Sequence, residues 1–115
     1  MEAKETPPTV RAAYYSVLVK LKTGRELALI GEYRSALEQL QGAIHTLRLL
    51  PPERTRDILL AHGYLNRFQT LTLGSSKRSE SAEESLLMGV SYARSTRDPM
   101  ARALAEECLS GPKTD

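Results

Sequence analysis

The sequence contains no tryptophan, one phenylalanine and one cysteine among 115 residues. A single cysteine, Cys108, excludes an internal disulfide. No apolar run approaches the roughly 20 residues that a membrane-spanning helix needs, so we expect no membrane partner. Residues 1–8 also lack the apolar core of a signal peptide, which makes the cytoplasm the expected location.

Charge of neither sign dominates, because 16 basic and 14 acidic side chains give a net charge of +2. Such a balance argues against a protein that binds mainly to phosphate backbones. The hydrophobic and charged fractions, 41% and 26%, are typical of soluble globular domains. We expect one helical domain over 9–111, flanked by flexible tails at 1–8 and 112–115.

The first half of the chain predicts two helices, because its apolar residues recur every three or four positions. Thr9 is the expected N-cap of the first helix. Gly31 interrupts the pattern, and Tyr33 restarts it. Pro51-Pro52 ends the second helix, since the residue before a proline resists helical dihedral angles.

The second half predicts three more helices, the first over about 52–73. A loop follows at 74–80, and Ser81 with Glu84 forms the spacing of a capping box. Asp98-Pro99 starts a fifth helix, which ends near Leu109. Its expected inward residues are Met100, Ala103, Leu104 and Cys108. The predicted fold is all-α, with about five helices in antiparallel hairpins, as a helical array or a small bundle.

The segment 21–44 carries small and large residues at fixed spacing, namely Gly24, Gly31, Tyr33, Ala36, Leu40 and Ala43. The small residues permit two helices to approach closely, and Gly31 permits a tight turn. This pattern resembles the tetratricopeptide repeat, although Lys20, Thr23 and Leu27 depart from it. The resemblance implies stacked helical hairpins that bind a partner. A fainter second copy places Ala82, Leu86 and Gly89 at the spacing of Ala36, Leu40 and Ala43. Gly63 would match Gly24 in this copy if seven residues were inserted, which is the size of the 74–80 loop.

The same segment also resembles a microtubule-interacting-and-trafficking (MIT) domain of the katanin N-terminal type. The residues that carry this likeness are Gly24-Arg25-Glu26, Ala28-Leu29, Gly31, Tyr33, Ser35 and Gln41-Gly42. That resemblance implies a three-helix bundle that binds partner helices or tubulin-associated surfaces. It is the alternative interpretation, as a trafficking or microtubule-associated adaptor.

Residues that could perform catalysis do not converge in the sequence. His45 and His62 fall on different predicted helices, and no metal-ligand spacing is present. Cys108 is expected to be a small core residue. No strand precedes Gly24 or Gly31, so neither belongs to a phosphate-binding loop. We therefore expect no enzyme, no metal and no cofactor.

Nucleic-acid binding is a second alternative, as a small helical regulator with a basic face. That face would consist of Arg54, Arg56 and Arg67, joined by Lys77-Arg78 from the loop. No exposed aromatic residues are interleaved with these cations to stack on bases, so nucleic acid is the less favoured partner.

The first predicted helix is apolar on more than one side. Tyr14 and Tyr15 are adjacent and point in different directions, as do Leu18 and Val19. Such a helix needs cover on both faces. A bound partner or homo-oligomerisation would provide it, and so would a place at the centre of a bundle.

The function expected from the sequence is a non-catalytic interaction module, acting as an adaptor or chaperone. It would hold a partner helix or peptide in a groove between the first and third helices. The expected partner-binding residues are Tyr15, Lys22, Tyr64, Arg67 and Phe68.

Overall fold

The computed structural model describes residues 8–75 and 79–111, and over these residues it contains five α-helices and no strand. The predicted all-α fold is confirmed. The helices are α1 (Pro8–Leu29), α2 (Tyr33–Leu49), α3 (Arg54–Leu73), α4 (Glu80–Thr96) and α5 (Pro99–Ser110). Of the expected tails at 1–8 and 112–115, residues 1–7 and 112–115 lie outside the described residues, whereas Pro8 is the first residue of α1.

The turn between α1 and α2 depends on Gly31, whose φ is +85°. Its N–H donates to the carbonyl of Ala28 at 3.1 Å, and the N–H of Glu32 donates to that of Leu27 at 2.9 Å. This pair of bonds closes a helix end whose last carbonyls would otherwise lack donors. Gly31 therefore makes the tight turn that the sequence predicts.

Capping confirms one predicted helix start and corrects another. The Asp98 carboxylate accepts from the N–H of Ala101 at 3.0 Å, as expected. The N-cap of α4 is Ser79, whose hydroxyl accepts from the N–H of Ala82 at 3.1 Å. The predicted box of Ser81 and Glu84 is wrong, because Ser81 already lies inside the first helical turn.

Two other starts also differ from the prediction. Thr9 lies inside α1, which begins at Pro8, so it is not an N-cap. The third helix begins at Arg54 rather than near residue 52, because Glu53 is extended, with φ −162°. The Glu53 carboxylate accepts from the hydroxyl of Tyr14 at 2.7 Å, and so ties the start of α3 to α1.

The central helix of the fold is α3, which contacts all four others, whereas α1 contacts only α2 and α3. Two apolar clusters form the core, one shared by α1, α2 and α3 and the other by α3, α4 and α5. The tyrosine rings of Tyr64 and Tyr92 stack at 6.1 Å where the clusters meet. The expectation that α1 could be covered by lying at the centre is therefore wrong.

Glycines mark the tightest helix approaches. A Cβ on Gly24 would lie 2.8 Å from the side chain of Leu40, as the predicted close approach of α1 and α2 requires. A Cβ on Gly89 would lie 2.6 Å from Leu65. Gly63 faces Ile44 of α2, not α4, so it does not take the position of Gly24 in a second hairpin.

Helix α5 turns inward a face that agrees only in part with the expected one. Cys108 is buried as expected, and Leu104 is half-buried against the core cluster of α3, α4 and α5. Met100 and Ala103 are exposed, whereas Ala101 and Ala105 are buried. The two buried alanines let α5 approach its neighbours closely.

Candidate partner-binding groove

An exposed row of side chains follows one face of α1. Its members, Tyr15, Leu18, Lys22, Arg25 and Leu29, are spaced three and four residues apart and are called the α1 row below. Tyr15 is 65% exposed and Leu29 is 83% exposed. The opposite face of the helix is buried, so these side chains are available to a partner.

The α1 row ends in a groove between the C-terminal parts of α1, α3 and α5, with a volume of about 660 Å³. Arg25 and Leu29 contribute from α1, and Glu107 and Cys108 from α5. The α3 side is formed by Asn66, Phe68, Gln69, Thr70, Thr72 and Leu73. A concave, mainly apolar surface with a few polar groups is the common form of a ligand site.

Polar residues follow the groove side of α3 at helical spacing. Asn66, Gln69 and Thr70 stand at i, i+3 and i+4 and line the groove, and His62 lies one turn earlier. Asn66 is only 4% exposed, and its amide nitrogen has no hydrogen-bond partner among the described residues. A buried donor without a partner costs about 1–3 kcal/mol. This row was missed from the sequence, although polar residues with helical period on an apolar helix are a usable signal.

Charges of opposite sign lie on opposite walls of the groove, because Arg25 is on α1 and Glu107 is on α5. Burial lowers the pKa of His62; the charge of Asp98 opposes this shift, and that of Arg25 adds to it. Burial therefore disfavours the charged form of His62, which is not among the residues that line the groove. The amide groups of Asn66 and Gln69, which do line it, suit hydrogen bonds better than ion pairs.

Cys108 is buried at the groove wall, as a core residue. Burial, together with the charge of Glu107, raises the pKa of its thiol to about 11. Its Sγ lies 4.0 Å from the carbonyl oxygen of Leu65. The thiolate is the nucleophilic form, and little of it exists at neutral pH.

The predicted site residues fall in different places. Tyr15 and Lys22 are exposed members of the α1 row. Tyr64 is 8% exposed, its ring stacks on Tyr92, and its hydroxyl accepts from Arg48 at 3.1 Å. Tyr64 thus joins α2, α3 and α4 and offers little surface to a partner.

Arg67 and Phe68 lie in different places. The guanidinium of Arg67 donates to the hydroxyl of buried Ser85, which joins α3 to α4, and Arg67 does not line the groove. Phe68 is buried, but it is one of the residues that line the groove. Tyr15 and Lys22 are therefore exposed and Phe68 forms part of the groove wall, whereas Tyr64 and Arg67 connect helices.

The arginines of the alternative basic face bind within the chain. The guanidinium of Arg54 donates to the carbonyl of Thr96 at 3.1 Å. That of Arg56 donates to Asp57 and to the carbonyl of Leu50. The two guanidinium groups therefore connect or close helix ends. Lys77-Arg78, the remaining part of the expected basic face, lies outside the described residues.

Over residues 8–75 and 79–111, no three histidine, cysteine or acidic side chains are grouped so as to hold a metal ion. His45 and His62 lie on α2 and α3. None of the five helices is long and apolar enough to cross a bilayer.

No protein family matches this chain, and no curated protein or solved structure is significantly similar to it. The functional conclusion therefore rests on the geometry of the α1 row and the groove.

Proposed function

We propose that this protein is a non-catalytic interaction module, an adaptor or chaperone, that binds a segment of a partner protein in the groove between α1, α3 and α5. The observation that carries the proposal is the continuity of this groove with the exposed α1 row, since Arg25 and Leu29 belong to both. Tyr15 and Lys22 extend the surface toward the start of α1.

Burial of exposed apolar groups provides the driving force. Tyr15 and Leu29 are mostly exposed. Each large apolar side chain that a partner covers contributes up to about 1.5–3 kcal/mol. A carbonyl of the bound segment accepts a hydrogen bond from the amide of Asn66 once that amide turns toward the groove. Binding therefore removes the free-energy cost of a buried donor without a partner.

The architecture supports the same proposal. The helices contact one another largely in chain order, and α3 also contacts α1 and α5. Stacked helical hairpins of the tetratricopeptide kind leave such a groove between alternate helices. An adaptor of the MIT kind is the alternative form of the proposal. In both forms we place the protein in the cytoplasm.

Site-specific photocrosslinking tests the groove. A photoreactive residue replaces Leu73, which is 60% exposed in the groove, or Leu87, which is 71% exposed on α4. We expect a discrete adduct in native lysate from position 73 but not from position 87. Gln69→Arg, which fills the groove, should abolish it. No adduct, or equal labelling at both positions, would overturn the proposal.

A further inference from the structure

The α1 surface has a charged middle between two apolar ends. Tyr15 and Leu18 form the first end, and Leu29 forms the second. Lys22 and Arg25 lie between them on the same face. The two ends are eleven residues apart, from Leu18 to Leu29, which is roughly 16 Å along a helix. A partner must therefore cover apolar groups at two places and meet positive charge between them.

From this pattern we infer that the partner segment is an acidic amphipathic helix, an inference that rests on the proposed function. Its apolar residues lie about three turns apart, and carboxylates occupy the same face between them. A partner helix fits because the α1 row repeats every three and four residues, which is the spacing at which two helices interdigitate. The carboxylates bind Lys22 and Arg25, and the apolar residues cover Tyr15, Leu18 and Leu29.

The two cations are available for this role. Lys22 and Arg25 are exposed, and neither forms an ion pair with another described residue. The nearby Glu26 supplies the one acidic group of this segment of α1. Opposite charges across an interface fix its register and speed association, so the charged middle determines where the partner helix sits.

A lipid surface fits this pattern less well. A helix that lies on a membrane buries a continuous apolar face and keeps its cations at the edges of that face. Here Lys22 and Arg25 interrupt the apolar face itself, so a bilayer that covered Tyr15 and Leu29 would have to desolvate both charges. A protein helix can supply carboxylates at that point.

A second copy of this chain also fits less well. Two α1 helices packed through the same face would bring together four cations, from two copies of Lys22 and Arg25, and two Glu26 carboxylates. The surplus of like charge disfavours such a dimer. An acidic partner balances the charge.

The test uses the full chain and a fluorescent synthetic helix of about 18 residues that carries the inferred pattern of leucines and glutamates. Fluorescence anisotropy measures binding. The double variant Lys22→Glu/Arg25→Glu should bind about ten- to a hundredfold more weakly. It should regain binding to a matched peptide with lysines in place of glutamates. The control Arg34→Glu, an exposed change on α2, should bind like the unmodified chain.

Failure of the acidic peptide to bind, or equal binding by the charge-reversed chain, would overturn the inference. Comparable binding to phosphatidylserine vesicles would overturn it in favour of a membrane. A dimer in light scattering that Lys22→Glu/Arg25→Glu disperses would overturn it in favour of a second copy. If the photoreactive residue at position 73 still gives its adduct but the acidic peptide does not bind, the proposed function of the groove stands and only the inferred chemistry of the partner is wrong.

Discussion

The helices α1 and α3 are similar in length, 22 and 20 residues, but they differ in how many other helices cover them. Both carry large apolar residues on more than one side. Neighbours surround α3, whereas α1 leaves Tyr15, Val19 and Leu29 open. The number of neighbouring helices, and not the apolar content of the segment, decides which side chains are buried.

The contrast also distinguishes the residues that stabilise the fold from those that are available for binding. Residues of α3 such as Leu60 and Leu65 are fully buried, and each of these two leucines lies in one of the two apolar clusters. Residues of the α1 row contribute little to the folded monomer. Folding alone does not account for their exposed apolar surface, whereas binding to a partner does.

The largest expected effect compares one leucine from each helix. Leu65→Ala removes a fully buried side chain from α3 and should lower the free energy of unfolding by about 2–5 kcal/mol. Leu29→Ala on α1 should change it by less than about 0.5 kcal/mol. Urea denaturation measures both. Equal losses would show that the α1 row is structural.

Substitution of Gly89 and of Gly42 compares how tightly neighbouring helices pack against α3 and against α1. A methyl group at position 89 would meet Leu65 of α3 at 2.6 Å, and also its backbone nitrogen at 3.1 Å. Gly89→Ala should therefore lower the free energy of unfolding by about 1–3 kcal/mol. At position 42 the nearest atom is the Lys20 side chain of α1 at 3.6 Å.

Gly42→Ala is the matched control, and it should raise the free energy of unfolding by up to about 1 kcal/mol because alanine favours a helix. Thermal denaturation followed by circular dichroism ranks the two variants. A Gly89→Ala variant as stable as Gly42→Ala would contradict the close approach of α3 and α4.

Asn66 is the polar exception within α3. Asn66→Leu removes a buried donor that has no partner among the described residues, and should raise the free energy of unfolding by about 1 kcal/mol. The same change should weaken partner capture in the groove. Gln69→Leu, its half-buried neighbour, should alter stability by less than about 0.5 kcal/mol. A loss of stability in Asn66→Leu would show that this amide is satisfied in solution.

The smallest effect concerns the bond between Tyr14 of α1 and Glu53 at the start of α3. Burial, with the hydrogen bond and charge of Glu53, raises the pKa of Tyr14 from 10.0 to about 12. The stabilising contribution of the neutral phenol is complete below pH 10 and disappears as the pH rises through about 12. Tyr14→Phe should cost less than about 1 kcal/mol at pH 7.

Urea denaturation across this range gives the check. The stability of the unmodified chain should fall more steeply between pH 10 and 12 than that of Tyr14→Phe. Parallel curves for the two proteins would mean that the hydroxyl of Tyr14 does not hold α1 to α3.

Local signals predicted much of the helical framework. As predicted, Asp98 caps α5 and Gly31 makes the turn between α1 and α2. Where several similar residues compete, local rules fail. Ser79 and Ser81 both offer a hydroxyl near the start of α4, and the earlier serine is the cap.

The candidate site was predicted only in part. The sequence indicated an exposed apolar excess on the first helix, and Tyr15 and Lys22 do lie on the exposed row. It also assigned Tyr64 and Phe68 to the partner; Tyr64 is buried between helices, whereas Phe68 is buried but lines the groove. Asn66, Gln69 and Glu107 were not selected, because their proximity depends on how α1, α3 and α5 are arranged.

The sequence by itself determined that the chain is helical, roughly where its helices begin and end, and which residues repeat along one face of each. These features depend on hydrogen bonds and side-chain spacing within a few residues. Only the tertiary structure decided that α3 is central, that Met100 points outward and that the α1 row opens into a groove. Periodicity identifies an apolar face, but burial requires neighbouring helices, whose positions depend on packing along the whole chain.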